Sequence, residues 1–143
     1  SAPAVPGALN GEPFEWIADA DMRFGPIFEA FIEGRYYWVP VDRIHYMKVD
    51  EPEDLRDAVW MPATFVWTNG GQSAGFIPTR YPGSENHQDS LVRMAKRTEW
   101  EELAPDFFAG LGQRVVATDA GEYALMDVRE LTLENTVSEG TEA

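Results

Sequence analysis

The sequence predicts a β-dominated α+β domain: a small antiparallel sheet or partly open barrel carrying a few short helices. Three observations lead there. Short runs of β-branched and aromatic residues recur between turn signals along most of the chain. Asn69-Gly70 stands between two such runs, and Asn-Gly is a strong hairpin signal because both turn residues must accept positive φ. Strand-like segments also outnumber helix-compatible ones.

Taken in order, residues 1–13 hold three Pro and two Gly and read as a flexible leader or linker. Residues 14–18 form a brief apolar segment that runs into the turn-prone Asp19-Ala20-Asp21. Residues 27–33 and 36–39 flank Glu33-Gly34-Arg35, a short glycine-containing loop of the hairpin type. Residues 45–49 alternate as a third strand. Acids and Pro52 then cluster over 50–54, suited to the positive end of a short helix over 55–59. The clearest hairpin pairs 63–68 with 72–77 across Asn69-Gly70-Gly71. Residues 89–96 are helix-compatible, with Leu91, Val92 and Ala95 at suitable spacing and Asp89 near the start. Residues 113–118 and 123–133 supply β material around Asp119-Ala120-Gly121. No internal repeat or long linker interrupts 14–133, so this stretch is expected to be one domain, with 134–143 a polar, acidic, frayed tail.

Composition narrows the function. Of 143 residues, 44% are hydrophobic and 13% aromatic, too apolar for a disordered chain. Eleven Lys and Arg face 25 Asp and Glu, for a formal charge of −14, which repels nucleic-acid phosphates and anionic lipid. Neither nucleic acid nor membrane is expected as a partner. The absence of Cys excludes a thiol nucleophile, a disulfide framework, an Fe–S cluster and thiolate zinc. No apolar run approaches the roughly 18 residues of a membrane span, and the expected compartment is the cytoplasm.

Gly71-Gln72-Ser73-Ala74-Gly75 matches the G-x-S-x-G pattern of serine hydrolases, making a small hydrolase using Ser73 the alternative function. That pattern needs a strained strand-to-helix turn with an acid and a His following. Here it leaves a hairpin tip for Phe76-Ile77-Pro78, which reads as strand. His87 and Glu85 follow too close together for a relay. Asp19 and Asp21 could share a cation, yet an EF-hand loop from Asp19 would put Phe24 and Ala30 where Gly and Glu are required. An Asx-type turn suits them better. His45 and His87 lie far apart, without a zinc-binding helix motif, and no phosphate loop or dinucleotide fingerprint occurs. No catalytic residue, cofactor or metal is therefore expected.

Adhesion is the remaining reading. Arg80, Arg93, Lys96 and Arg97 fall where the only acids are Glu85 and Asp89, so they could form a basic island on an acidic body. In Tyr36-Tyr37-Trp38, strand alternation turns the middle ring opposite to its neighbours, leaving at least one large ring outside the core. The candidate partner-binding residues are Arg80, Tyr81, Arg93, Lys96, Arg97 and Tyr37.

Several longer phrases occur in order: Phe14-Glu15-Trp16-Ile17-Ala18-Asp19-Ala20-Asp21, Gly34-Arg35-Tyr36-Tyr37-Trp38-Val39-Pro40, Ile77-Pro78-Thr79-Arg80-Tyr81-Pro82-Gly83-Ser84, and Leu111-Gly112-Gln113-Arg114-Val115. Together with Arg43-Ile44, Asp54-Leu55-Arg56-Asp57, Val59-Trp60 and Pro62-Ala63, they resemble the C-terminal domain of the ImpE/TagJ family, the SciE-type virulence proteins that accompany bacterial type VI secretion systems. The resemblance implies a non-enzymatic accessory factor associated with the small subunit of the contractile sheath and with the ClpV disassembly ATPase. It also implies an N-terminal helical, TPR-like region in family members, upstream of the shared domain, on which the ClpV contact could depend. It brings no catalytic residues.

Overall fold

The structure is a computed structural model and describes residues 4–53 and 59–135. Its strands are β1 (Gly7–Leu9), β2 (Glu12–Phe14), β3 (Ile17–Asp19), β4 (Ile27–Ile32), β5 (Arg35–Pro40), β6 (Ile44–Val49), β7 (Trp60–Trp67), β8 (Gln72–Pro78), β9 (Thr98–Ala104), β10 (Phe107–Gly112), β11 (Val115–Thr118), β12 (Gly121–Ala124) and β13 (Glu130–Leu133). An eight-stranded antiparallel sheet runs in the order β2-β1-β13-β6-β7-β8-β4-β5. A three-stranded sheet, β12-β11-β3, contributes Ile17 and Val116 to the same core, and β9 with β10 forms a separate hairpin.

Register decides which face each side chain takes. Phe65 opposes Ser73, Ala63 opposes Gly75 and Met61 opposes Ile77, so these share one face. That face carries the core: Phe65, Met61 and Ile77 are buried, along with Met47, Leu131 and Phe28 from neighbouring strands. Burying a side chain such as Phe65 contributes about 2–3 kcal/mol. The opposite face receives Trp60, Pro62, Thr64, Ala74 and Phe76. Gly75 is required where β8 meets β4, since a Cβ there would lie 2.3 Å from the Phe31 carbonyl oxygen.

The predicted hairpins at Gly34 and Asn69-Gly70 are present. Gly70 has φ of 87°, the Trp67 amide donates to the Gly71 carbonyl at 2.8 Å, and β7 and β8 pair along their length. Three expectations need correction. The stretch read as a leader supplies β1 and β2, with Leu9 buried against β13. The helix over 89–96 shrinks to α1 (Ser90–Arg93), whose Asp89 cap accepts from the Leu91 amide at 2.9 Å. Ala95, with φ of 57°, marks its end. The β stretch over 123–133 is split by a 3-10 turn at Leu125–Asp127. The fold is strand-dominated and open: β2 and β5 are free sheet edges, and α1 is the only α-helix among the described residues, too little for a helical layer. Most of the helix expected over 55–59, and the tail beyond 135, lie outside the described residues.

Candidate functional site

The six candidate residues do not form one surface. Tyr81 is wholly buried, so its role as an exposed docking residue is overturned: the ring packs inside the protein. Arg80 and Arg93 are half-buried and spent on carbonyls. Arg80 Nη1 donates to the Arg93 carbonyl at 2.7 Å, and Arg93 Nη1 donates to those of His87 and Gln88 at 2.6 and 2.8 Å. They fasten the loops around α1. Lys96 and Arg97 are exposed, and Arg97 pairs with Asp89 at 3.0 Å, a surface bridge worth about 0–1 kcal/mol. Tyr37 is exposed on edge strand β5, opposite Ala30.

Tyr81 instead belongs to a buried polar cluster centred on Arg114. The Arg114 side chain has no solvent exposure; its Nη1 donates to Asp19 Oδ2 at 2.5 Å, its Nη2 to Glu29 Oε1, and its Nε to the Pro78 carbonyl at 3.1 Å. Its guanidinium carbon lies 4.7 Å from the centre of the Tyr81 ring and 5.2 Å from that of Phe24. The Tyr81 hydroxyl donates to Asp19 Oδ1 at 2.6 Å and accepts from the Val115 amide at 3.0 Å. Burial, reinforced by the neighbouring Asp19 charge, drives the Tyr81 hydroxyl far above its ordinary range. Burial also pushes the Asp19 carboxyl up, against the opposing pull of Arg114 and Tyr81. Asp19 comes from β3 and Glu29 from β4, so Arg114 ties strands of both sheets together. A guanidinium answered by two buried carboxylates is costly to form and more costly to break.

Asp21 turns to a different cation. Arg23 grips it with Nη2–Oδ2 at 2.6 Å and Nε–Oδ1 at 3.1 Å, while the Gly110 amide donates to Oδ2 at 2.8 Å. Burial alone would raise this carboxyl, but Arg23 and the backbone amides outweigh it and hold the group below its ordinary value. Asp19 and Asp21 are thus occupied separately, and no cluster of three or more potential ligands occurs among the described residues.

Ser73 lies on β8 rather than on a strand-to-helix turn, and its Oγ accepts from Trp67 Nε1 at 3.0 Å. His87 is engaged elsewhere: Nδ1 accepts from the Asp89 amide at 2.9 Å, and Nε2 lies 2.7 Å from Glu99. The nucleophile–base pair of a hydrolase is not assembled from them. His45, on β6, has its Nδ1 3.0 Å from the Asn135 carbonyl.

A concave surface lies on the outer face of β4, β7 and β8. There Phe31, Trp60, Pro62, Ala74 and Phe76 line an open groove of about 580 Å³, with Glu33 and Asp50 among its bordering residues. Phe76 is 48% exposed and Trp60 38%. The register explains the grouping: Phe31, Phe76 and Pro62 lie side by side across three strands, and Trp60 stands 4.9 Å from Phe31, edge to ring. Sequence reading does not bring these rings together, because apolar alternation alone does not reveal a sheet face left uncovered.

The ImpE protein family model matches residues 11–132. The chain is 46% identical over 136 residues to the "Type VI secretion system accessory component TagJ" of Pseudomonas aeruginosa, covering 95% of this chain and 47% of that protein. It therefore spans about half the length of this curated relative. The crystal structure of protein VPA1032 from Vibrio parahaemolyticus shares the fold, with a TM-score of 0.84 at 22% identity over 94% of this chain and 50% of that one. No helix among the described residues is long and apolar enough to cross a membrane. A match that starts before β2 and ends within β13 takes in every strand but β1, and the buried arginine cluster with them, and on that extent the chain belongs to the ImpE protein family.

Proposed function

We propose that this chain is a non-enzymatic docking domain of a type VI secretion accessory protein, acting in the cytoplasm by holding an apolar segment of the small sheath subunit in the groove between Phe31, Trp60 and Phe76. The observation that carries this reading is the groove itself. A row of large rings on a sheet face is expensive to leave in water unless something uses it, at about 25 cal/mol per Å² of apolar area. The kinship to a type VI secretion accessory component supports the choice of system. The acidic border of Glu33 and Asp50 favours a segment with basic flanks. Lys96 and Arg97, the exposed members of the basic set, offer a secondary contact to acidic residues of the same partner. A link to ClpV belongs to the same proposal, with no residue of this chain assigned to it.

The test is capture of purified small sheath subunit. Phe76→Ala and Ala74→Arg, both on the exposed face, should weaken binding at least tenfold while leaving the melting temperature nearly unchanged. Undiminished capture by both variants would rule out the groove.

A further inference from the structure

A smaller recess of about 320 Å³ adjoins the groove, and Phe31 and Trp60 line both. Aromatic rings form part of its wall, with Val59, Pro78 and Pro82 beside them. Phe31 stands between Trp60 and Tyr36, with ring centres 4.9 and 5.2 Å away. Glu29, only 4% exposed, also lines it. Glu29 Oε1 accepts from Arg114 and Oε2 from the Tyr36 hydroxyl, which itself accepts from Trp38 Nε1 at 2.6 Å. An ionised carboxylate offers roughly four acceptor positions, so each oxygen can still take another donor. Arg80 and Glu85 complete the charged lining; the Arg80 Nη1 is directed at the Arg93 carbonyl.

Ring faces and a desolvated carboxylate attract the same kind of ligand. An ammonium or guanidinium is drawn to the negative face of an aromatic ring, and its attraction to a carboxylate strengthens as water is excluded. A guanidinium suits the recess better than an ammonium. It is planar and can lie against Trp60 or Tyr36 while its N–H groups reach Glu29. We propose that this recess binds one cationic side chain, arginine in preference to lysine, presented by the protein segment that occupies the neighbouring groove. The inference rests on the docking reading above and adds the chemistry of one anchor residue.

N-acetyl-arginine amide, N-acetyl-lysine amide and the uncharged N-acetyl-norleucine amide serve as probes, followed through the Trp60 indole N–H by NMR. Arginine should give a saturable shift, lysine a weaker one and norleucine none. Glu29→Gln and Phe31→Leu, which keep the Trp60 reporter, should each weaken arginine binding tenfold or more; if Glu29→Gln fails to fold, Phe31→Leu decides. No saturable shift up to the solubility limit, or an equal shift with norleucine, overturns the proposal. Sheath-subunit capture is scored separately. Arginine binding that persists while Phe76→Ala leaves capture intact sinks the groove alone, and capture that persists without any arginine shift sinks the recess alone.

Discussion

The Tyr81 hydroxyl donates to the Asp19 carboxylate across 2.6 Å, joining the loop after β8 to a strand 62 residues earlier. Arg114 reaches the same carboxylate from the opposite oxygen, so three distant parts of the chain meet on one buried group. Cohesion between the two sheets depends on this meeting as well as on apolar packing. The cluster explains why Tyr81, which the sequence offers as a surface residue, is withdrawn from solvent.

Breaking the cluster from its centre should be severe. Arg114→Met leaves Asp19 and Glu29 buried without their cation, and the expected loss is about 3–5 kcal/mol by chemical denaturation. Tyr81→Phe should cost less, about 1–3 kcal/mol, because Asp19 keeps Arg114 and the Asp21 amide. Combining Arg114→Met with Asp19→Asn and Glu29→Gln should recover part of the loss. A recovery of nothing would mean that Arg114 acts by packing alone.

The two aspartates should give opposite pH trends. The Asp21 carboxyl is held below its ordinary value near 3.8, so its stabilisation is present above that value and is lost as pH falls through the folded one. Asp21→Asn should therefore cost most near neutrality and little in acid. Asp19 is raised above 3.8, so the folded state binds its proton more tightly and its contribution is lost as pH climbs from 3.8 through the raised value. Asp19→Asn should cost most in acid. Urea midpoints across pH for both variants check this, and parallel trends would contradict it.

Ser73 should prove chemically ordinary. With its hydroxyl on the Trp67 indole and His87 engaged by Glu99 and Asp89, the protein should be inert to serine-directed phosphonates. Ser73→Ala should lower stability by about 0.5–1.5 kcal/mol through the lost hydrogen bond. Stoichiometric phosphonate labelling at Ser73 would revive the hydrolase reading.

Much of this architecture is legible from sequence, for reasons that differ between elements. The Asn69-Gly70 and Gly34 hairpins are local events, dictated by φ requirements that few residues meet, and they stand where expected. The β9–β10 hairpin is not legible. Thr98–Ala104 carries three Glu among seven residues, and Glu is disfavoured in strands; pairing with Phe107–Gly112 overrides that preference. β1 and β2 were hidden by Pro6 and Pro13, which sit where the sheet nears its free edge and tolerates a missing donor. At the site, composition disclosed surplus aromatic rings but not their location. The face of Phe31 and Phe76 is fixed by long-range register with β7 and β8, which no short window contains. Arg114 escaped for the same reason, since its partners lie 95 and 85 residues away.

Strand β1 lies antiparallel to β13, with Gly7 opposite Leu133 and the Glu134 amide donating to the Pro6 carbonyl at 2.9 Å. Tension applied across these two points would peel the strands apart rung by rung, the mechanically weak mode, instead of shearing every rung together. Whatever is joined at either point therefore transmits pulling force poorly through this seam, and the domain would yield there before its arginine-bound interior felt the strain.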